Sequence, residues 1–241
     1  MTSTAAATSA LVSIIVPVFN GERFLEAALR SAIAQTYAPI ELIVVDDGST
    51  DRSADVARSF PDVVYLRQGH GGAPAARNAG IGVARGEFLA FLDADDVLPP
   101  DKVKAQMAYL LTHTEVDCVF GQQEIFTEGN ADSAWMYELP EWMRWAPDWE
   151  RRGQIQPMSM VVRRAVFDEV GPLDERLLVS DDVDWVLRAM EASVAMHVLD
   201  DVVLHRRAHD GNISRDLAAR RRDHFALLKS RIDRTRASSC E

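Results

Sequence analysis

The sequence predicts an α/β fold with a mainly parallel central sheet flanked by helices. Three features carry this expectation. Short, β-branched apolar runs alternate with stretches of helical periodicity through the first half of the chain. The runs are uniformly apolar, as strands covered on both faces are. Polar clusters follow three of them, and strand–helix alternation brings such strand ends to one rim, where ligands bind in this class of sheet.

Residues 11–18 read as the first strand, ended by Pro17 and Asn20. Residues 22–35 follow with Phe24, Leu25, Ala28, Leu29, Ala32 and Ile33 on one helical face. A second strand at 40–45 runs into Asp46-Asp47-Gly48-Ser49, a turn that opens a helix. A third strand at 63–66 precedes a glycine loop at 69–72 and a helix at 75–84. The fourth, at 87–92, ends at Asp93.

The second half predicts a smaller mixed region. Helices are expected at 103–113, 164–170 and 182–192, with strands at 116–126, 158–162 and 194–199. The stretch 128–154 is rich in Trp, Pro and charge and reads as a long loop or broken helix. Its segment from Trp135 to Trp149 is expected to border the site and to be mobile without ligand. A polar, basic helix is expected at 216–236. The whole chain, 1–241, reads as one domain: a first half at about 11–113 that carries the ligand-binding rim, a second half at about 114–214 and a terminal helix at about 215–241.

A formal net charge of −11 argues against a nucleic-acid backbone as partner. An anionic ligand on such a chain needs a metal ion or helix N-termini. Two cysteines, Cys118 and Cys240, indicate no disulfide framework, so a reducing cytosol suits the chain. The Ser/Thr/Ala-rich start lacks the basic opening of a signal peptide, and no run is apolar enough to span a bilayer. A peripheral contact at the inner face of the membrane stays open.

Asp93-Ala94-Asp95 lies where a buried strand meets solvent. Positions i and i+2 of a strand face the same way, so both carboxylates address one site. Such a pair suits magnesium or manganese, and Asp96 is a close alternative ligand. The bland alternative is an acidic turn, and Asp182-Val183-Asp184 has the same pattern. Asp46-Asp47-Gly48-Ser49 is more often a capped turn. Arg77 and Asn78 are either surface groups or neighbours of an anion. Asp181 and Asp182 are helix caps or a general base, and an aspartate is ionised at neutral pH without special tuning. His209, beside Arg206 and Arg207, is a structural group or a phosphate or metal partner.

In combination these motifs resemble the family-2 glycosyltransferases of the GT-A fold. The resemblance runs from about residue 12 to residue 214. It is carried by the first-strand segment ending Val16-Pro17-Val18-Phe19-Asn20, by Val45-Asp46-Asp47-Gly48-Ser49-Thr50-Asp51 and by Ala76-Arg77-Asn78-Ala79-Gly80. Phe91-Leu92-Asp93-Ala94-Asp95-Asp96, Asp181-Asp182-Val183-Asp184-Trp185 and Arg207-Ala208-His209 complete it. The resemblance implies a nucleotide-sugar donor, commonly UDP-linked, a divalent Mn2+ or Mg2+ ion, and inversion at the anomeric carbon. It implies as acceptor a saccharide, a lipid-linked glycan or a peptide. Phe19 would pack on the base, with Pro17 in that wall. Asp47 would read the base edge, supported by Glu22 and Asp46, and Arg77 and Arg207 would join the donor site. Asp93 would meet ribose or metal, Asp95 the metal, and His209 would complete the metal or diphosphate site. Asp182 would be the base, with Asp181 beside it.

Two departures stand out. Many members have Glu-Asp where this chain has Asp181-Asp182, and a Tyr where it has Phe19. The alternatives are a nucleotidyltransferase, for which Asp181-Asp182 has no use, and a non-catalytic nucleotide-sugar-binding subunit.

Overall fold

The computed structural model describes residues 9–127 and 157–238. Strands β1 (Val12–Val18), β2 (Ile40–Asp46), β3 (Val63–Arg67) and β4 (Phe88–Phe91) alternate with helices α1 (Leu25–Ile33), α2 (Ser53–Arg58) and α3 (Ala73–Val83). Then follow α4 (Lys102–Thr112), β5 (Cys118–Thr127), β6 (Val161–Arg163), α5 (Ala165–Val170), α6 (Asp181–Glu191), β7 (Met196–Ala208) and α7 (Leu217–Ser238). The strands form one sheet in the order β3-β2-β1-β4-β6-β5-β7, in which β6 alone runs antiparallel to its neighbours. This is the mainly parallel sheet, flanked by helices, that the apolar runs predict. Cys240 and the Trp135–Trp149 segment lie outside the described residues.

Alternation along β1 builds both halves of the core. Val12, Ile14, Val16 and Val18 pack with Leu25 and Leu29 of α1 and with Val103 and Met107 of α4. Ile15 points the other way, among Ile43, Val45, Ala76 of α3 and Trp185 of α6. Helices on both faces explain why these strands read as continuous apolar runs.

From β1 the chain winds outward through β2 to β3, and then returns to place β4 on the opposite side of β1. This reversal opens a crevice beyond the carboxyl ends of the strands. Phe19, Asp47 and Asp93 all fall there. Gly48 makes the turn after β2 with φ +82°, a conformation a side chain resists.

Two elements differ from expectation. Residues 157–159 form a 3-10 turn, so the strand expected at 158–162 starts later, as the short β6. The strand expected at 194–199 continues to Ala208. Asp200-Asp201 reads as a chain break, yet it sits in an irregular stretch of the β5–β7 ladder, where Phe120 pairs with Val198 and Gln122 with Val202. The extra residues bulge out and the strand resumes.

Helix α3 is pressed against the sheet at Gly80. A Cβ there would lie 2.5 Å from Ile15 Cγ2, whereas one on Gly82 meets nothing within 4 Å. Gly80→Ala is therefore expected to lose about 1–3 kcal/mol in urea unfolding through overpacking. Gly82→Ala is expected to gain about 0.5–1 kcal/mol from helix propensity. Equal effects of the two substitutions would contradict this packing.

Candidate active site

The loops after β1 and β2 are stitched together. Asn20 N donates to Ser49 Oγ (3.0 Å), Gly21 N to Ser53 Oγ (2.9 Å), and Thr50 N to Asn20 Oδ1 (2.8 Å). Glu22 accepts from Arg52 N at 2.9 Å, so it holds the same junction. Asp46 is fully buried and accepts from Ser49 N (2.7 Å) and Tyr65 Oη (2.6 Å). Burial alone would raise its carboxyl. Those two partners, with Arg67 nearby, outweigh burial and hold it below the usual carboxylate range.

Asp47 receives Gly71 N and Gln68 Nε2 on one oxygen and Gly72 N on the other, each at 2.8 Å. His70 Nδ1 lies 2.8 Å from that second oxygen, Oδ2. The His70 ring stacks on Phe19 with centroids 4.0 Å apart, and Phe19 is 47% exposed at the rim. Pro17 is buried within β1 behind it. A planar ring thus lies against the Phe19 face and hydrogen-bonds to Asp47.

Asp93, Asp95 and Asp96 converge just after β4, with a carboxylate oxygen from each lying within 4.8 Å of the others. Asp96 is buried, and burial, then the charges of Asp95 and Asp93, push its carboxyl well above the usual range. Three clustered carboxylates of this kind can hold a cation, and an all-oxygen set suits Mg2+ or Mn2+. The residues therefore fit the implied metal.

The far end of β7 reaches the triad because Val97 pairs with His205 in an antiparallel bridge. Arg207 N then donates to Asp96 Oδ1 and Arg207 Nε to the Asp95 carbonyl, both at 2.8 Å. The Arg207 guanidinium lies over the rings of Phe24 and Phe126. His209 Nε2 is 2.9 Å from Asp95 Oδ2. Gly211 N donates to His209 Nδ1 at 3.1 Å, which leaves Nε2 as the ring nitrogen facing Asp95. Asn212 Nδ2 adds a second donor to the same oxygen at 3.1 Å.

Arg77 is 5% exposed, which excludes the surface-group alternative. One arm donates to Asp93 at 2.7 Å and the other to Asp181 at 2.8 Å. Burial would depress its pKa, but Asp93 and Asp181 outweigh burial and keep the guanidinium charged. This bridge joins the strand-end triad to the start of α6.

Asp181 is buried on Arg77, whereas Asp182 is half-buried and accepts Val183 N at 2.7 Å. The N-cap position of α6 belongs to Ser180, whose side chain makes no cap bond. Burial, then the neighbouring Asp181 charge, push Asp182 up to about 7 against the opposing pull of Arg77. The expectation of an untuned, fully ionised aspartate is corrected here. The spacing could not reveal it, because the cause is burial beside a second carboxylate.

The fold therefore brings Pro17, Phe19, Glu22, Asp46 and Asp47 to one end of the rim and Asp93, Asp95, Asp96, Arg207 and His209 to its centre. Arg77 leads from there to Asp181 and Asp182. Motif analysis missed His70, Gln68 and Asn212. Their signal was weak: His70 is one ring in a glycine loop, and Asn212 lies beyond the last motif.

A rim of this kind is what a GT-A glycosyltransferase presents. The chain belongs to glycosyl transferase family 2, whose model matches residues 13–171. An uncharacterised glycosyltransferase of Rickettsia typhi is 29% identical over 91% of this chain and 70% of its own length. Glycosyltransferase AglE of Haloferax volcanii is 30% identical over 80% of this chain and 65% of its own length. The chain spans only 36% of a longer glycosyltransferase of Rickettsia felis, to which it is 30% identical.

Two solved structures share the fold. Residues 1–349 of S. aureus TarS in complex with UDP-GlcNAc superpose with a TM-score of 0.72 at 22% identity, over 85% of this chain and 60% of that one. The mannosyltransferase PcManGT of Pyrobaculum calidifontis, in complex with GDP-Man and Mn2+, gives 0.72 at 18% identity, over 94% of this chain and 65% of that one. Among the described residues, no helix is long and apolar enough to cross a membrane.

Proposed function

We propose that this chain transfers a sugar from a nucleoside diphosphate sugar, UDP-linked, to an acceptor hydroxyl, with inversion at the anomeric carbon. The observation that carries this is the Arg77 bridge, which sets the acidic triad and the Asp181-Asp182 pair about one site. The complexes of TarS with UDP-GlcNAc and of PcManGT with GDP-Man support a nucleotide-sugar donor.

The base takes the Phe19 face that His70 covers, so binding displaces His70. Displacement frees the Asp47 oxygen next to His70 Nδ1 for the base edge. Pro17 backs this wall, and Glu22 and Asp46 hold the loops that form it. Asp93, Asp95 and Asp96 would hold a divalent ion, with His209 and Asn212 orienting Asp95. When bound, such an ion neutralises charge developing on the leaving diphosphate. Arg207 borders the same place and adds fixed positive charge.

Asp182 accepts the acceptor's hydroxyl proton. The acceptor oxygen bonds to the anomeric carbon as the bond to the diphosphate oxygen breaks, and the diphosphate leaves with that electron pair. Asp181 stays committed to Arg77, which leaves Asp182 as the carboxylate with room for a proton.

The donor is found by screening nucleotide sugars for metal-dependent thermal stabilisation and slow hydrolysis. With that donor, Asp182→Asn is expected to lower turnover about 10²–10⁴-fold while donor affinity by calorimetry holds. Burial favours the protonated acid, so wild-type turnover is expected to rise with pH through about 7. That rise is expected to vanish in Asp182→Asn. Normal transfer by Asp182→Asn with loss in Asp181→Asn moves the base by one residue, and normal transfer by both removes it.

The triad has a separate test. Asp95→Asn removes one charged oxygen from the set and is expected to weaken UDP binding in the presence of Mn2+ at least tenfold. UDP affinity in metal-free buffer is expected to change little. Unchanged manganese-dependent affinity would contradict a metal role for Asp95.

A further inference from the structure

Helix α7 lies beyond the residues that the family model matches and contributes none of the side chains discussed so far. Its Asp223 is nonetheless one of the most deeply buried charged groups, at 1% exposure. Asp223 Oδ2 accepts Leu178 N at 2.8 Å, Val179 N at 2.7 Å and Ser180 N at 3.2 Å. Successive amides converging on one oxygen form an anion-binding concavity. Here the anion comes from the protein itself. The other oxygen, Oδ1, accepts no hydrogen bond and lies 3.7 Å from Arg222 Nε.

The segment Asp223 grips is the irregular link leading directly into Asp181 and Asp182. The amides of residues 178–180 precede the first turn of α6, and Asp223 is the partner on which all three converge. Farther along α7, Arg234 Nε lies 2.8 Å from Glu191 Oε2, and Arg234 Nη1 lies 3.5 Å from Asp184 Oδ1. Helix α7 therefore holds α6 at both its first and last turns.

We propose that Asp223 is a positioning residue for proton transfer: by pinning the backbone of residues 178–180 it sets where the Asp182 carboxylate meets the acceptor. This rests on Asp182 being the base. The donor side is braced apart from the clamp: the loops after β1 and β2 hold Phe19 and Asp47, β7 holds Asp95 and Asp96, and the clamped segment reaches the triad through Asp181 and Arg77 alone among the contacts described. A displacement of about 1 Å at a reacting group can lower rate by about 10²-fold. Loss of the clamp should therefore appear in turnover and leave nucleotide affinity intact.

The test compares Asp223→Ala with Asp223→Asn, which keeps one acceptor oxygen of the same reach. UDP binding with Mn2+ by calorimetry counts the folded sites. Turnover per site is read with the nucleotide sugar that most stabilises the wild-type chain. Hydrogen exchange follows the amides of 178–182. For Asp223→Ala the expected result is at least a tenfold loss of turnover per UDP-binding site, affinity for UDP within about twofold, and faster exchange at 178–180. Asp223→Asn is expected to recover most of both. Wild-type turnover per site in Asp223→Ala would overturn the proposal, as would unchanged exchange at 178–180. Loss of UDP affinity in step with turnover would also overturn it, since that marks a general structural role. Should Asp223→Ala not fold, Asp223→Ser, too short to span the three amides, carries the same comparison. Failure of the base assignment shows separately, as normal turnover by Asp182→Asn.

Discussion

The site depends on one buried cation. Arg77 stands between Asp93 and Asp181, and both of its arms are used. Without it the crevice would hold uncompensated carboxylates from the strand-end triad and from α6. Burial first, and then neighbouring acid charges, raise the Asp96, Asp181 and Asp182 carboxyls even with Arg77 in place. Breaking a buried ion pair from one side costs about 3–5 kcal/mol, a large part of a domain's net stability. Lysine could not replace it, because two acids in different directions need the guanidinium fork. The bridge also sets the two acids apart: Arg77 takes Asp181, and Asp182 stays half-buried beside it.

Arg77 is placed by packing rather than by charge. It rides on α3, whose depth against β1 is set by Gly80 on Ile15. The same sheet fixes the triad, since Asp93 follows directly from β4. The opposite wall arrives from far along the chain. β7 passes its bulge, pairs with Val97 through His205, and so delivers Arg207 and His209 to Asp95 and Asp96. A rim made of early loops thus meets a wall made of late elements, with Arg77 as the joint.

Much of this was legible in the sequence because it follows from local pattern. Continuous apolar runs locate β1 to β4, period-3.6 hydrophobicity locates the helices between them, and strand–helix alternation places Phe19, Asp47 and Asp93 on one rim. What was not legible depends on partners distant in the chain. Arg77 reads equally as a surface group or as a neighbour of an anion, and its bridge between Asp93 and Asp181 carries no sequence signal. Asp200-Asp201 reads as a strand end because two adjacent acids rarely sit within a ladder, and only pairing with β5 reveals a bulge. The elevated Asp182 needs Asp181 and burial together. Asp223 sits in a helix whose composition says only polar and basic, so its amide partners at 178–180 carry no sequence signal.

The central claim is a single displacement at one carbon, with the acceptor deprotonated by Asp182 on one side of the sugar and the diphosphate leaving from the other. The most direct measurement is the anomeric configuration of the transferred sugar, read by NMR from the coupling constant of its anomeric proton in the product. The account predicts the configuration opposite to that of the donor. Retention would contradict it, because retention requires either a covalent intermediate or departure and attack on the same face.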